Sequence, residues 1–208
     1  MTRSIPLPAR QHGAVLVVAM CVMLALLIVA VSAARTALNA ERAARGERDR
    51  QIAFQAAEAA LADAERDIEA PASTARGALF ARGSSAGFVD GCGEGAHNPA
   101  LGLCRYAAPK ALPAWQRTSL AEQSSERART VVYGQFTGAQ MPAGQGTLPA
   151  RLPRYVIELL PFARAGEDAG RPAGNFYRIT AIGFGASDAT RVVLQSFYLK
   201  AAPAGEVL

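Results

Sequence analysis

The chain predicts an α+β fold in which one long N-terminal helix packs against a C-terminal antiparallel β-sheet. Three observations carry that prediction. Residues 14–34 form an uncharged apolar run, and no proline interrupts the chain from there to Pro71. Residues 35–69 continue in Ala, Glu, Arg and Gln, which are strong helix formers. Four segments of the last third are rich in Val, Ile, Tyr and Phe, the composition of strands.

The apolar run comes first. Its 21 residues at 1.5 Å rise match the roughly 30 Å of hydrocarbon that a spanning helix must cross. A secretory signal has a shorter apolar core, of roughly 7–15 residues. Val31-Ser32-Ala33 nevertheless resembles a small-residue cleavage site, so cleavable signal, signal anchor and permanent helix all stay open here. Arg3 and Arg10 precede the run while Arg35, Arg42 and Arg45 follow it, so basic residues alone do not set its orientation. Ala19, Ala25, Ala30, Ala33 and Ala34 are small residues that permit close helix approach.

Beyond the run, Phe54, Ala57, Leu61, Ala64 and Ile68 recur at the 3–4 spacing of one helix face. They are the expected helix–sheet contact. Glu58, Asp63, Glu65, Arg66 and Asp67 fill the remaining, solvated positions. Pro71 ends the pattern. Gly46 is the weak point, read as a tolerated glycine, a cap between two helices, or a hinge.

Residues 71–129 read as a long Gly/Ser/Ala/Pro-rich loop region with one short helix. Trp115, the only tryptophan, would anchor this loop on the domain. Cys92 and Cys104 are its natural cysteine pair, and a disulfide between them implies an oxidising compartment. Residues 130–208 are the expected sheet, with strands at 130–136, 154–160, 176–183 and 190–199. Tyr155, Ile157 and Leu159 alternate with Arg154, Val156 and Glu158, which predicts one buried face and one wet face. Gly185-Ala186-Ser187-Asp188 supplies turn residues for a hairpin between the last two strands.

Charge and chemistry exclude several classes. The formal net charge is +5, with basic and acidic residues interleaved along the chain, and this is no nucleic-acid footprint. Asp90, Cys92, Glu94, His97 and Cys104 include zinc-type donors, but their spacing matches no compact ligand motif. Gly183-Phe184-Gly185 precedes no helix and makes no nucleotide site. No Ser/His/Asp set stands out, so no catalytic residue, metal or cofactor is assigned. Arg178 and Arg191 read as ordinary solvent-face residues rather than a basic contact patch.

Several short stretches carry a resemblance. They are Gln11-His12-Gly13; Asp49-Arg50; Phe54-Gln55-Ala56-Ala57-Glu58-Ala59-Ala60-Leu61; Gly102-Leu103-Cys104 followed by Trp115; Tyr155-Val156-Ile157-Glu158; and Tyr177-Arg178-Ile179-Thr180-Ala181 with Val192-Val193-Leu194-Gln195-Ser196. In this order they resemble type IV pilins, and specifically the PilX family of minor pilins, across most of the chain. The resemblance implies a type IV pilin-like fold with residues 1–13 as prepilin leader, 14–34 as the transmembrane and assembly half of the helix, and 35–70 as its amphipathic half. It implies a prepilin peptidase that cuts between Gly13 and Ala14 and methylates Ala14.

Major pilins carry glutamate at the fifth mature position, where this chain has Val18. That buried carboxylate can offset a neighbour's positive N-terminus. Its absence points to a place in the filament where the pairing is not needed, such as the tip. The function expected from the resemblance is a non-enzymatic subunit that joins other minor pilins and primes assembly. Its partners would be minor and major pilins, the inner-membrane assembly platform, the peptidase and, before assembly, membrane lipid. The pilus would serve adhesion, twitching motility or DNA uptake. A minor pseudopilin of a type II secretion system is the alternative, and a membrane-anchored periplasmic binding or enzymatic domain is the alternative of another class.

Overall fold

The structure, a computed structural model, describes residues 13–81, 83–107, 111–123, 126–161 and 175–200. The chain divides after Glu47 into two compact units. Helix α1 covers Ala14–Ile68, with Gly46 helical. The second unit holds the last turns of α1, a 3-10 turn at Gly77–Phe80, the one-turn helix α2 (Ala114–Arg117) and five strands. These are β1 (Leu103–Arg105), β2 (Val131–Val132), β3 (Arg154–Leu160), β4 (Phe176–Phe184) and β5 (Arg191–Leu199).

The sheet runs β1-β3-β4-β5, with β2 also paired to β3. β3, β4 and β5 are antiparallel neighbours, as the alternation predicts. β1 adds in parallel, Leu103 opposite Ile157, so the sheet is mixed. In the sequence β1 lies within the expected loop region, because three residues show no period and the strand they pair with is some fifty residues away. The strand expected at 130–136 is only two residues long. At Gly134 the chain turns with φ 78°, and a Cβ there would lie 1.9 Å from the Ala139 carbonyl oxygen. The hairpin between β4 and β5 forms at the expected turn, where Gly185 N donates to Thr190 O.

One sheet face carries α1. Tyr155, Ile157, Tyr177, Ile179 and Ala181 pack with Ala60, Ala64 and Ile68 in the main core. Phe80, Phe88 and Tyr177 close one end of it, with ring centroids 5.8–6.0 Å apart. The opposite face is not wet along its whole length, as the alternation in β3 suggested. Val156, Ile182 and Phe184 lie under Cys92, Cys104, Ala114 and Leu120, with Trp115 against them. The loop region therefore forms a second layer over part of the sheet. Glu158, expected in solvent, is buried and takes the Arg178 guanidinium at 2.5 Å across the β3–β4 pair.

The helix meets the sheet through alanines. Ala53, Ala56, Ala57, Ala60 and Ala64 are fully buried with Ile68, and Leu61 packs at the margin. Phe54 departs from the expected stripe. It is 43 % exposed, because the true contact face is centred about a quarter-turn away. Small side chains let the helix axis approach the sheet closely, and a phenylalanine on that line would hold it off.

Asp49 ties the helix to the β4–β5 turn by accepting from Ser187 N at 3.1 Å. A hydrogen bond from Thr190 is the main reason its carboxyl titrates below the ordinary carboxylate value, with the Ser187 and Ala186 amides helping. A depressed folded pKa means the stabilisation is complete above the unfolded value of about 4 and is lost as pH falls through the folded one. Urea midpoints measured between pH 6 and pH 2.5 should therefore fall less steeply for Asp49→Asn than for the parent chain.

Candidate assembly surface

Residues 14–34 of α1 are exposed throughout. Val15 is 73 % exposed, Met23 68 % and Val18 61 %. With mean hydropathy 3.2 in its most apolar window, this segment is long and apolar enough to cross a membrane. Left in water, each of these side chains forfeits about 1.5–3 kcal/mol of burial, so the surface requires lipid or other helices. Gly13 stands just before the helix with φ 86°, a left-handed conformation that favours glycine, and Ala14 begins α1. The other residues of the expected leader, Gln11 and His12 included, lie outside the described residues. Cys21 is free and exposed within the run.

In the second unit, polar side chains fix the layers around the helix. Asp63 and Asp67, expected in solvent, are both 0 % exposed. Their i, i+4 spacing places them beside Ala60 and Ala64 on the contact face.

Asp67 is the hub. Arg76 Nε donates to its Oδ1 at 3.0 Å, Arg76 Nη2 to its Oδ2 at 2.6 Å, and the Tyr155 hydroxyl to its Oδ2 at 3.1 Å. Burial, and then the Asp67 charge, push the Tyr155 phenol well above its ordinary value, so it remains a donor. Arg76 Nη1 reaches Pro99 O at 2.6 Å and Leu101 O at 2.8 Å, while the guanidinium lies over the Phe136 ring at 4.1 Å. Asp63 accepts from Gly134 N at 2.7 Å and from the Thr137 hydroxyl. Two helix carboxylates thus hold the segments around residues 76, 100 and 134 in place.

Cys92 and Cys104 are joined, with Cα atoms 4.0 Å apart and both sulfurs buried beside α2. Closing a loop of this size contributes about 3 kcal/mol in the chain-entropy model. The bond consumes the two thiols of the considered zinc set, and His97 is exposed. Among the described residues no cluster of three or more His, Cys, Asp or Glu is placed to hold a metal. Arg178 and Arg191 do not form a joint patch. Arg178 lies opposite Phe197 and pairs with Glu158, while Arg191 sits near the hairpin turn by Asp188.

A helix with an apolar first half and an alanine-faced second half docked on a C-terminal sheet defines a type IV pilin-like assembly subunit. Two family models match the chain: PilX N-terminal over residues 12–62, and Type IV pilus assembly protein PilX C-term over residues 92–200. The chain belongs to the PilX family, and its role is that of a minor pilin of the type IV pilus. Neither a curated protein nor a solved structure matches it. Membership implies interaction with other pilus components, and the apolar helix fits a single-pass membrane anchor in such a pilin.

Proposed function

We propose that this minor pilin joins other minor pilins in a complex that primes type IV pilus assembly and remains at or near the tip. It acts by assembly rather than catalysis. Before assembly the apolar half of α1 is held in the inner membrane, with the N-terminus cytoplasmic and the sheet domain periplasmic. The disulfide supports that orientation, because such bonds persist outside the reducing cytoplasm. Prepilin peptidase removes residues 1–13 and methylates Ala14.

The observation that carries the tip assignment is Val18. A carboxylate in hydrocarbon is costly and is retained where it meets a partner charge. Valine at this position makes insertion easier and gives up the pairing that draws a filament-body subunit under its neighbour. A subunit that starts the filament does not need that pairing.

Two measurements test the proposal. Mass spectrometry of the mature chain should find an N-terminus at methylated Ala14; an N-terminus at Ala34 or an intact Met1 contradicts the pilin route. Val18→Glu should alter pilus number and weaken co-purification of the other minor pilins. If both remain at parental levels, position 18 does not encode tip placement.

A further inference from the structure

Arg76, Arg151, Arg154 and Arg178 are the sheltered arginines of the second unit among the described residues. Three of them hold a carboxylate: Arg76 pairs with Asp67 at 2.6 Å, Arg151 with Asp188 at 2.5 Å, and Arg178 with Glu158 at 2.5 Å. Arg154 is the exception. Its Nη1 donates to the Thr130 hydroxyl at 3.0 Å and to Glu122 O, both neutral oxygens. Among the described residues its Nε and Nη2 have no protein acceptor. Burial lowers the pKa of this guanidinium, the Arg151 charge adds to that, and the Glu122 charge opposes it. The Glu122 carboxylate accepts from Gln123 N at 2.9 Å and forms no ion pair with Arg154.

Arg154 lines an open cleft of about 520 Å³. Val132, opposite it in the β2–β3 pair, and the turn at 134–140 supply much of the lining. Gln135 braces these parts, since its Nε2 donates to Ala96 O at 2.8 Å and its Oε1 accepts from Val132 N at 3.2 Å. Asp63 holds the same turn through Gly134 N. The cleft is therefore built by the chain itself. Leu101, Ala128, Val132 and Ala139 give it aliphatic surface, and among the described residues that line it only Arg154 is charged. The Tyr133 hydroxyl and the Gln140 amide are further donors there, and no described residue accepts from either.

We propose that this cleft receives a glutamate or aspartate side chain of a different pilus subunit, with its carboxylate on Nε and Nη2 of Arg154. The inference rests on the pilin reading, which sets unlike subunits against this one at or near the tip. Guanidinium and carboxylate match through two parallel bonds, and a half-buried cation gains from such a partner. A single cation suits a single negative charge. A phosphate dianion calls for a second one, and the adjacent Arg151 is already held by Asp188. The aliphatic lining takes the methylene stem of the incoming side chain, the usual division of labour in a pocket with few polar groups. Main-chain donors around the cleft are spent within the chain, at Val132 N, Gly134 N, Gly138 N and Ala139 N. The site therefore reads a side chain and offers nothing to an added strand.

The test uses the full chain in cells that make the complete pilus machinery, with the photocrosslinker p-benzoylphenylalanine in place of Gln123, an exposed residue of the cleft. The expected result is an adduct with a different pilus subunit whose mapped segment contains an acidic residue. Arg154→Gln should lower that adduct about tenfold, the effect of losing a hydrogen-bonded charge pair. If this variant fails to accumulate with its disulfide intact, Gln140→Glu is read in its place. It sets a carboxylate in the same cleft from an exposed position and should exclude the incoming one to a similar extent. Changing the partner's mapped acid to its amide should lower the adduct as Arg154→Gln does, and the two changes together should lower it no further. An adduct that survives these changes, independent losses that multiply, a mapped segment without an acid, an adduct only with a second copy, or none at all overturns the acid-binding cleft. Ala14 processing in the same samples separates the two readings. Processed chain without the adduct overturns the cleft alone, whereas unprocessed chain overturns the pilin reading and this inference with it.

Discussion

Replacing Arg76 with alanine is expected to destabilise the folded domain by about 3–5 kcal/mol, the usual cost of stranding one member of a buried ion pair. Asp67 would remain at 0 % exposure with only the Tyr155 hydroxyl as a close donor, and the Pro99 and Leu101 carbonyls would lose their partner. The Phe136 ring would lose the guanidinium above it. Because Trp115 is the sole tryptophan and packs in the second layer, its fluorescence reports unfolding of the detergent-solubilised chain in urea. The double change Arg76→Met with Asp67→Leu should be milder than Arg76→Ala alone, because it removes both charges together. If Arg76→Ala shifts the urea midpoint no more than a surface substitution does, the buried network is not what holds these layers.

Gly183→Ala is the second large effect. A Cβ at Gly183 would lie 2.0 Å from Ala53 O and 2.4 Å from Ala57 N, both backbone atoms of α1. Neither can rotate aside, so the helix must lift from β4 and thin the contacts of Ala53, Ala57 and Ala60. Overpacking of this kind costs about 1–3 kcal/mol, and the upper end is expected where backbone must move. Gly46→Ala is the internal control. Nothing lies within 4 Å of a Cβ there, and in a helix alanine is favoured over glycine by about 1 kcal/mol. Urea midpoints should therefore move in opposite directions for the two variants. Equal behaviour would mean that the close approach at Gly183 does not govern docking.

Local signals made much of this architecture legible. The bounds of β3, β4 and β5 follow the β-branched and aromatic runs to within a residue, since each run is long enough to show its own period. The apolar head of α1 was legible for the same reason. Its tail forms the expected helix, and of the expected stripe Ala57, Ala64 and Ile68 are buried and Leu61 packs at the margin, while Phe54 falls off the contact face. Alanine is so short that hydropathy gives it little weight, yet it is what a close helix–sheet contact selects. Asp63 and Asp67 lie on that same face and look like surface acids until their partners are known.

The sequence by itself determined the order of elements, the apolar segment that must be covered by lipid or protein, the cysteine pair, and Val18 at the fifth residue of that apolar segment. All of these depend on composition or on neighbours within a few residues. Only the tertiary structure decided that β1 joins β3 in parallel, that Arg76 satisfies Asp67, and that Gly183 admits the helix. Each of those facts is a meeting of residues far apart in the chain. Burial then reverses what a side chain's polarity suggests: an aspartate in the core is stable when a guanidinium and a phenol reach it, and a phenylalanine stays in solvent when the alanines beside it fit the sheet better.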